Sequence, residues 1–178
     1  MELLDARVFE IVSFAVLKAK YISQTVWIGT EREKANEEAL RLYKTGRTNA
    51  NDGGIDFVMK PLGRFFQVTE TIDAGKYFLD IDKVQRFPIT FVVKSNQGSD
   101  EILSSIKAQA KKKYLIDDVV DSYMASVEEI INIPDLLNAF QEIVGRKQLA
   151  DVMQDIIIQS KVEFNYLDEG EGAPGTEQ

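Results

Sequence analysis

Asp52-Gly53-Gly54-Ile55-Asp56-Phe57-Val58, followed after Pro61-Leu62-Gly63 by Arg64-Phe65-Phe66-Gln67-Val68-Thr69-Glu70, is the stretch on which the fold turns. Ile55 to Lys60 and Arg64 to Thr71 are rich in β-branched and aromatic residues, and the three residues between them have turn chemistry, so the stretch predicts a β-hairpin. Asp56 is a carboxylate inside an otherwise apolar strand, where an unpaired charge is costly unless it meets a cation or a metal. Alternation puts Gln67 and Thr69 on one face of their strand and Phe66, Val68 and Glu70 on the other. A carboxylate and an amide oxygen on adjacent strands can hold one hard divalent ion, with a backbone carbonyl and waters completing its shell. A buried aspartate beside a glycine turn is also commonly structural, its carboxylate satisfied by loop N–H groups.

Outward from the hairpin, apolar residues Leu4, Val8, Ile11, Val12, Ala15 and Val16 recur at helical spacing and predict a helix over 3–19. Tyr21 to Ile28 reads as a strand closed by Gly29. Thr30 with Glu33 has the form of a capping box and predicts a second helix over 31–44. Thr45 to Gly54 is small, polar and glycine-rich, a loop. Asp73 to Gln85 is expected as a short helix, and Pro88 to Ser95 as a strand buried on both faces. A helix follows from Ser99 to Lys113, with acids in its first turn and lysines at its end. Further helices are expected at 115–131, 135–144 and 147–163, broken by Pro134 and Gly145. The segment 168–178, rich in Gly, Glu and Pro, is expected to be a disordered tail.

The composition narrows the chemistry. The 178 residues include no His and no Cys, which excludes a Cys or His nucleophile or base, a Ser-His-Asp triad and a Cys/His zinc site. Carboxylate, amide, hydroxyl and lysine groups remain, and any metal is expected to be oxygen-ligated. The net charge of -8 is unevenly spread: residues 1–113 hold 18 basic and 15 acidic side chains, residues 114–178 hold 3 and 14. The hairpin half is therefore mildly basic, and the whole-chain charge does not argue against a nucleic-acid partner. No apolar run reaches the roughly 20 residues of a membrane span, and the first residues do not read as a signal peptide, so a cytoplasmic protein with no membrane partner is expected.

The motif Asp52-Gly53-Gly54-Ile55-Asp56, a hairpin, then Gln67-Val68-Thr69 resembles the core of the PD-(D/E)XK nuclease superfamily in the D-G-G-x-D, hairpin, Q-x-K form of Mrr-like and several type II restriction endonucleases. The likeness covers about 31–113, and the longer stretch Tyr43 to Thr71 is reminiscent of the ApaLI-like enzymes, in which case these residues are part of a larger enzyme. The resemblance implies an α/β fold with a restriction-endonuclease-like central mixed sheet flanked by helices. Its organisation is a nuclease-like core over 1–113, a helical extension over 114–167 packed on that core, and the tail. It implies a type II site-specific deoxyribonuclease that hydrolyses phosphodiester bonds of double-stranded DNA with Mg2+, or Mn2+, and that acts as a homodimer. Carried over by position, Asp56 and Gln67 are metal-binding and catalytic, with the Val68 carbonyl as a further ligand. Thr69 stands where the family places a lysine, with Glu70 beside it as a nearby carboxylate. Lys60, Arg64 and Lys94 are the candidate substitute cations. Glu37 and Glu38, on the helix expected before the motif, are candidates for an additional carboxylate. Arg47, Asn49 and Asn51, with Lys60 and Arg64, are the candidate DNA contacts, since Arg suits guanine and Asn adenine; Lys111 to Lys113 are candidate phosphate contacts. The alternative is a catalytically inactive remnant or fragment of the nuclease fold that serves as a DNA- or protein-interaction module.

Overall fold

The computed structural model describes residues 2–46 and 55–165. Helix α1 (Glu2–Tyr21) runs two residues past its expected end, so the strand expected from Tyr21 shortens to β1 (Thr25–Ile28). The helix expected over 31–44 does not form. A single 3-10 turn (Arg32–Lys34) leads into β2 (Asn36–Ala39) and β3 (Arg41–Lys44). The reason is visible in the burial: Leu40 and Leu42 are buried, whereas Arg41 and Tyr43 are exposed, a period of two that a helix cannot satisfy. Glu37 and Glu38 therefore sit exposed on β2, opposite Trp27 and Val26 of β1, and supply no helix-borne carboxylate.

The hairpin forms as expected, from β4 (Phe57–Lys60) and β5 (Arg64–Thr69). Gly63 takes a positive φ of 66°, where a side chain would be strained, and its N–H closes the turn on the Met59 carbonyl at 2.9 Å. Helix α2 (Ala74–Lys83) starts on the Asp73 side chain, which accepts from the Lys76 N–H. Strand β6 (Ile89–Val93) is buried at every residue. Helices α3 (Ser99–Lys113) and α4 (Asp117–Met124) follow.

The helix expected over 115–131 ends at Met124, and Val127–Ile131 forms β7 instead. Its register beside β6 buries Ile130 and Ile131 on opposite faces of the sheet, which a continuing α4 would not do. Helix α5 (Ile133–Gly145) begins with a full capping box between Asn132 and Asp135, and α6 (Leu149–Phe164) closes the described chain.

The five-stranded sheet has the order β3-β4-β5-β6-β7. Its first three strands form an antiparallel meander, and β6 and β7 add in parallel to β5. Both faces are covered. On one, Leu42, Phe57, Met59, Phe66, Val92 and Ile131 pack against Phe14 and Leu17 of α1, Leu136 and Ile143 of α5, and Val152 of α6. On the other, Ile89, Phe91, Val93 and Ile130 pack against Tyr77 and Ile81 of α2, Ile102 and Ile106 of α3, and Val120 of α4. Each such side chain contributes about 1.5–3 kcal/mol when fully buried. The fold is thus mixed α/β, a mixed sheet flanked by helices. The segment after residue 113, expected to be wholly helical, also supplies the sheet's fifth strand. Among the described residues no helix is long and apolar enough to cross a membrane.

Between α1 and β3 lies a buried ion pair: Lys44 Nζ meets Glu10 Oε1 at 2.7 Å, with side chains only 10% and 6% exposed. Removing one partner strands the other charge. Glu10→Ala is expected to lower stability by about 3–5 kcal/mol, whereas the double change Glu10→Leu with Lys44→Met is expected to cost far less. Urea unfolding of the three proteins checks this, and equal losses for both variants would contradict it.

Candidate functional site

Asp56 sits just before β4, where the ladder to β5 is irregular. Its own N–H donates to the Phe66 carbonyl at 2.9 Å, although Phe57 is the residue opposite Phe66 in register. The backbone is thereby displaced, and the carboxylate takes over as acceptor: Oδ2 receives the Val68 N–H at 2.6 Å. The Asp56 carbonyl is held by the Thr45 N–H at 3.0 Å and the Thr45 hydroxyl at 3.1 Å, which ties the end of β3 to the start of β4. This is the structural role anticipated for a buried aspartate, except that the donor is a strand N–H.

Gln67 meets the same residue at its carbonyl. Its Nε2 donates to the Val68 carbonyl at 3.5 Å, a long hydrogen bond that is easily exchanged. Its Oε1 is buried and has no hydrogen-bond partner among the described residues. An unsatisfied buried acceptor costs about 1–3 kcal/mol, so the position favours a partner that brings a positive charge or a donor. Asp56, Gln67 and the Val68 carbonyl, the three expected metal ligands, therefore meet around one residue. All are hard oxygen donors of the kind magnesium takes. No group of three or more Asp, Glu, His or Cys able to hold a metal occurs among the described residues.

The other expected site residues lie as follows. Thr69 is 2% exposed, and its hydroxyl bonds back to the Thr71 carbonyl and N–H, both at 3.3 Å, so it is committed to its own chain. Glu70 is paired with Lys94 Nζ at 2.7 Å. Lys94 is the substitute cation that lies beside Thr69, since its N–H donates to the Thr69 carbonyl at 2.9 Å. Lys60 and Arg64 flank the hairpin turn at the opposite end of the strands, about 13 and 10 Å along the strand from Asp56 at roughly 3.3 Å per residue, Arg64 being opposite Met59. Lys60 stands over the Tyr43 ring. Arg64 is consumed by Glu128, Glu129 and the Thr90 hydroxyl. Neither is brought to the Asp56 edge, because residues beside a hairpin turn are the farthest from the hairpin's open end. Arg47, Asn49 and Asn51 lie outside the described residues.

Two features escaped the sequence reading. Lys44, register partner of Phe57, and Glu10 place a buried ion pair one residue from Asp56; the alternation in Arg41 to Lys44 was the available signal. Beside Gln67, its register partner Phe91 stacks on Tyr77 with centroids 4.2 Å apart. Among the described residues the Tyr77 hydroxyl and Asp80 Oδ2 are buried without hydrogen-bond partners, while Asp80 Oδ1 takes Lys83 at 2.9 Å.

No family model, no curated protein and no solved structure matches the chain.

Burial, reinforced by the Asp80 carboxylate, raises the Tyr77 phenol well above its ordinary value of 10.0. The folded state thus favours the neutral phenol, and its contribution is complete below the unfolded value. Stability is lost as pH rises above about 10 because the unfolded chain ionises first. Tyr77→Phe is expected to flatten the fall in melting temperature above that pH and to leave neutral-pH stability within about 1 kcal/mol, since the hydroxyl has no partner to lose. An unchanged alkaline slope would contradict this.

Proposed function

We propose that the chain is a magnesium-dependent endodeoxyribonuclease of the type II restriction class, cytoplasmic, acting on double-stranded DNA as a homodimer so that two sites cut two strands. The observation that carries the reading is the meeting of Asp56 and Gln67 at Val68, with Gln67 Oε1 buried and without a hydrogen-bond partner among the described residues. The likeness of this motif to the nuclease core and the mixed sheet flanked by helices support it.

The donor set fits a hard divalent ion. Asp56 supplies the negative charge, Gln67 Oε1 a neutral oxygen, and the Val68 carbonyl a third oxygen. A magnesium ion held there supplies Lewis acidity toward a phosphate oxygen and acidifies a water, which suits a chain without histidine. The Val68 N–H fixes the rotation of the Asp56 carboxylate, so its second oxygen has a defined direction. Gln67 gives up a 3.5 Å bond to turn its amide, a small cost. In the hydrolysis, water oxygen bonds to phosphorus, one bridging P–O bond breaks with its electron pair on the sugar oxygen, and a water proton ends on that oxygen.

A second reading is a nuclease-fold remnant that binds DNA or protein without cutting. Thr69 favours it: the position that should carry an ammonium holds a buried hydroxyl turned onto its own backbone.

Plasmid DNA incubated with Mg2+ or Mn2+ separates the two. The nuclease reading expects cleavage by the parent and a rate at least about 100-fold lower for Asp56→Ala and for Gln67→Ala. It also expects a metal-dependent rise in melting temperature that both variants lose. No cleavage with either ion and no metal-dependent shift would overturn it; a shift without cleavage would select the remnant.

A further inference from the structure

Of the residues expected to meet DNA, Lys60 and Arg64 flank the hairpin turn, Arg64 is neutralised by two glutamates, and Arg47, Asn49 and Asn51 lie outside the described residues. Of the lysines expected to meet phosphates, Lys112 and Lys113 are gathered with Lys76 where α2 and α3 meet. From Gln67 the chain runs through Thr69 and Thr71 to Asp73, where α2 begins. The end of α3 is fastened to that point by one side chain: Gln109 Nε2 donates to the Ile72 carbonyl at 3.0 Å and its Oε1 accepts the Ala74 N–H at 3.2 Å. One turn farther on, Lys113 lies directly on Gly75, its Nζ 2.6 Å from where a Cβ would stand. Lys112 and Lys113 follow Gln109 by three and four residues and so share its side of α3. Lys76 is the next residue after Gly75.

We infer that this junction of α2 and α3 is the surface that takes the DNA backbone, through the ammonium groups of Lys76, Lys112 and Lys113. The inference rests on the nuclease reading and extends it to where the substrate lies. The charge pattern carries it. Lys107 and Lys111, on the same helix, are neutralised by Asp121 and Asp117 of α4 at 2.8 and 2.9 Å. Lys76, Lys112 and Lys113 are exposed and make no ion pair among the described residues. Lys76 lies in the first turn of α2, which contains no acid beyond the Asp73 cap, whereas Lys112 and Lys113 lie in the last turn of α3, where the helix dipole favours them. Three exposed ammonium groups gathered where two helices meet, without an ion pair among the described residues, match a polyanion with closely spaced phosphates.

The test is the salt dependence of binding, read by anisotropy of a fluorescein-labelled DNA duplex in EDTA, so that no cleavage occurs. Each phosphate contact contributes about 0.9 to the slope of log K against log salt, so Lys76→Gln with Lys112→Gln and Lys113→Gln is expected to reduce the slope by about 2.7, and each single change by about 0.9. Melting temperature and the metal-dependent shift should stay at parental values, and Lys60→Gln should leave the slope unchanged. A parental slope in the triple variant, with the parent binding duplex, would overturn this surface and leave the nuclease reading intact. A parent that neither binds nor cleaves duplex DNA would overturn both.

Discussion

The hydrogen bond from the Val68 N–H to Asp56 Oδ2, at 2.6 Å, holds the open end of the hairpin together. Without it the Asp56 backbone, displaced from the ladder, would leave a strand N–H unpaired. With it, a carboxylate becomes part of the sheet. The same bond satisfies one Asp56 carboxylate oxygen inside a half-buried strand end. Thr45, just past β3, clamps the Asp56 carbonyl, the Val68 N–H of β5 holds its carboxylate, and Gln67 folds over the Val68 carbonyl within β5. The supporting shell is a scaffold of β6, buried throughout, between two helical layers.

The parts legible in the sequence were those where many residues speak together. The long apolar periodicity of α1, the turn chemistry of Pro61-Leu62-Gly63 and the unbroken hydrophobic run of β6 each determine an element locally. The misread elements are short and were decided by partners. Four residues, Arg41 to Lys44, alternate correctly for a strand, but the acid-rich residues before them look helical until β4 is there to pair with. Val127–Ile131 contains two glutamates and follows a helix; only the vacant edge of β6 makes it a strand. Long-range pairing of this kind overrides local propensity routinely.

The site divided in the same way. Asp56 and Gln67 both meet Val68, as expected from the hairpin that pairs their strands. Lys60 and Arg64 lie away from Asp56, which the hairpin itself implies, since they border its turn. The Glu10–Lys44 pair was legible only in part: the alternation in Arg41 to Lys44 signals a strand, but nothing in either segment announces the other. Charge asymmetry, by contrast, was informative at the level of halves: the basic half carries the motif, while Asp121 and Asp117 of α4, from the acidic half, pair with Lys107 and Lys111.

The claim on which the account stands is that Asp56, Gln67 and Val68 form one cation site. Anomalous diffraction from a crystal soaked in manganese tests it most directly. The account predicts one strong peak at the open end of the hairpin, with Asp56, Gln67 Oε1 and the Val68 carbonyl at about 2.0–2.3 Å. A Gln67 amide still resting on the Val68 carbonyl, with no peak there, would contradict it.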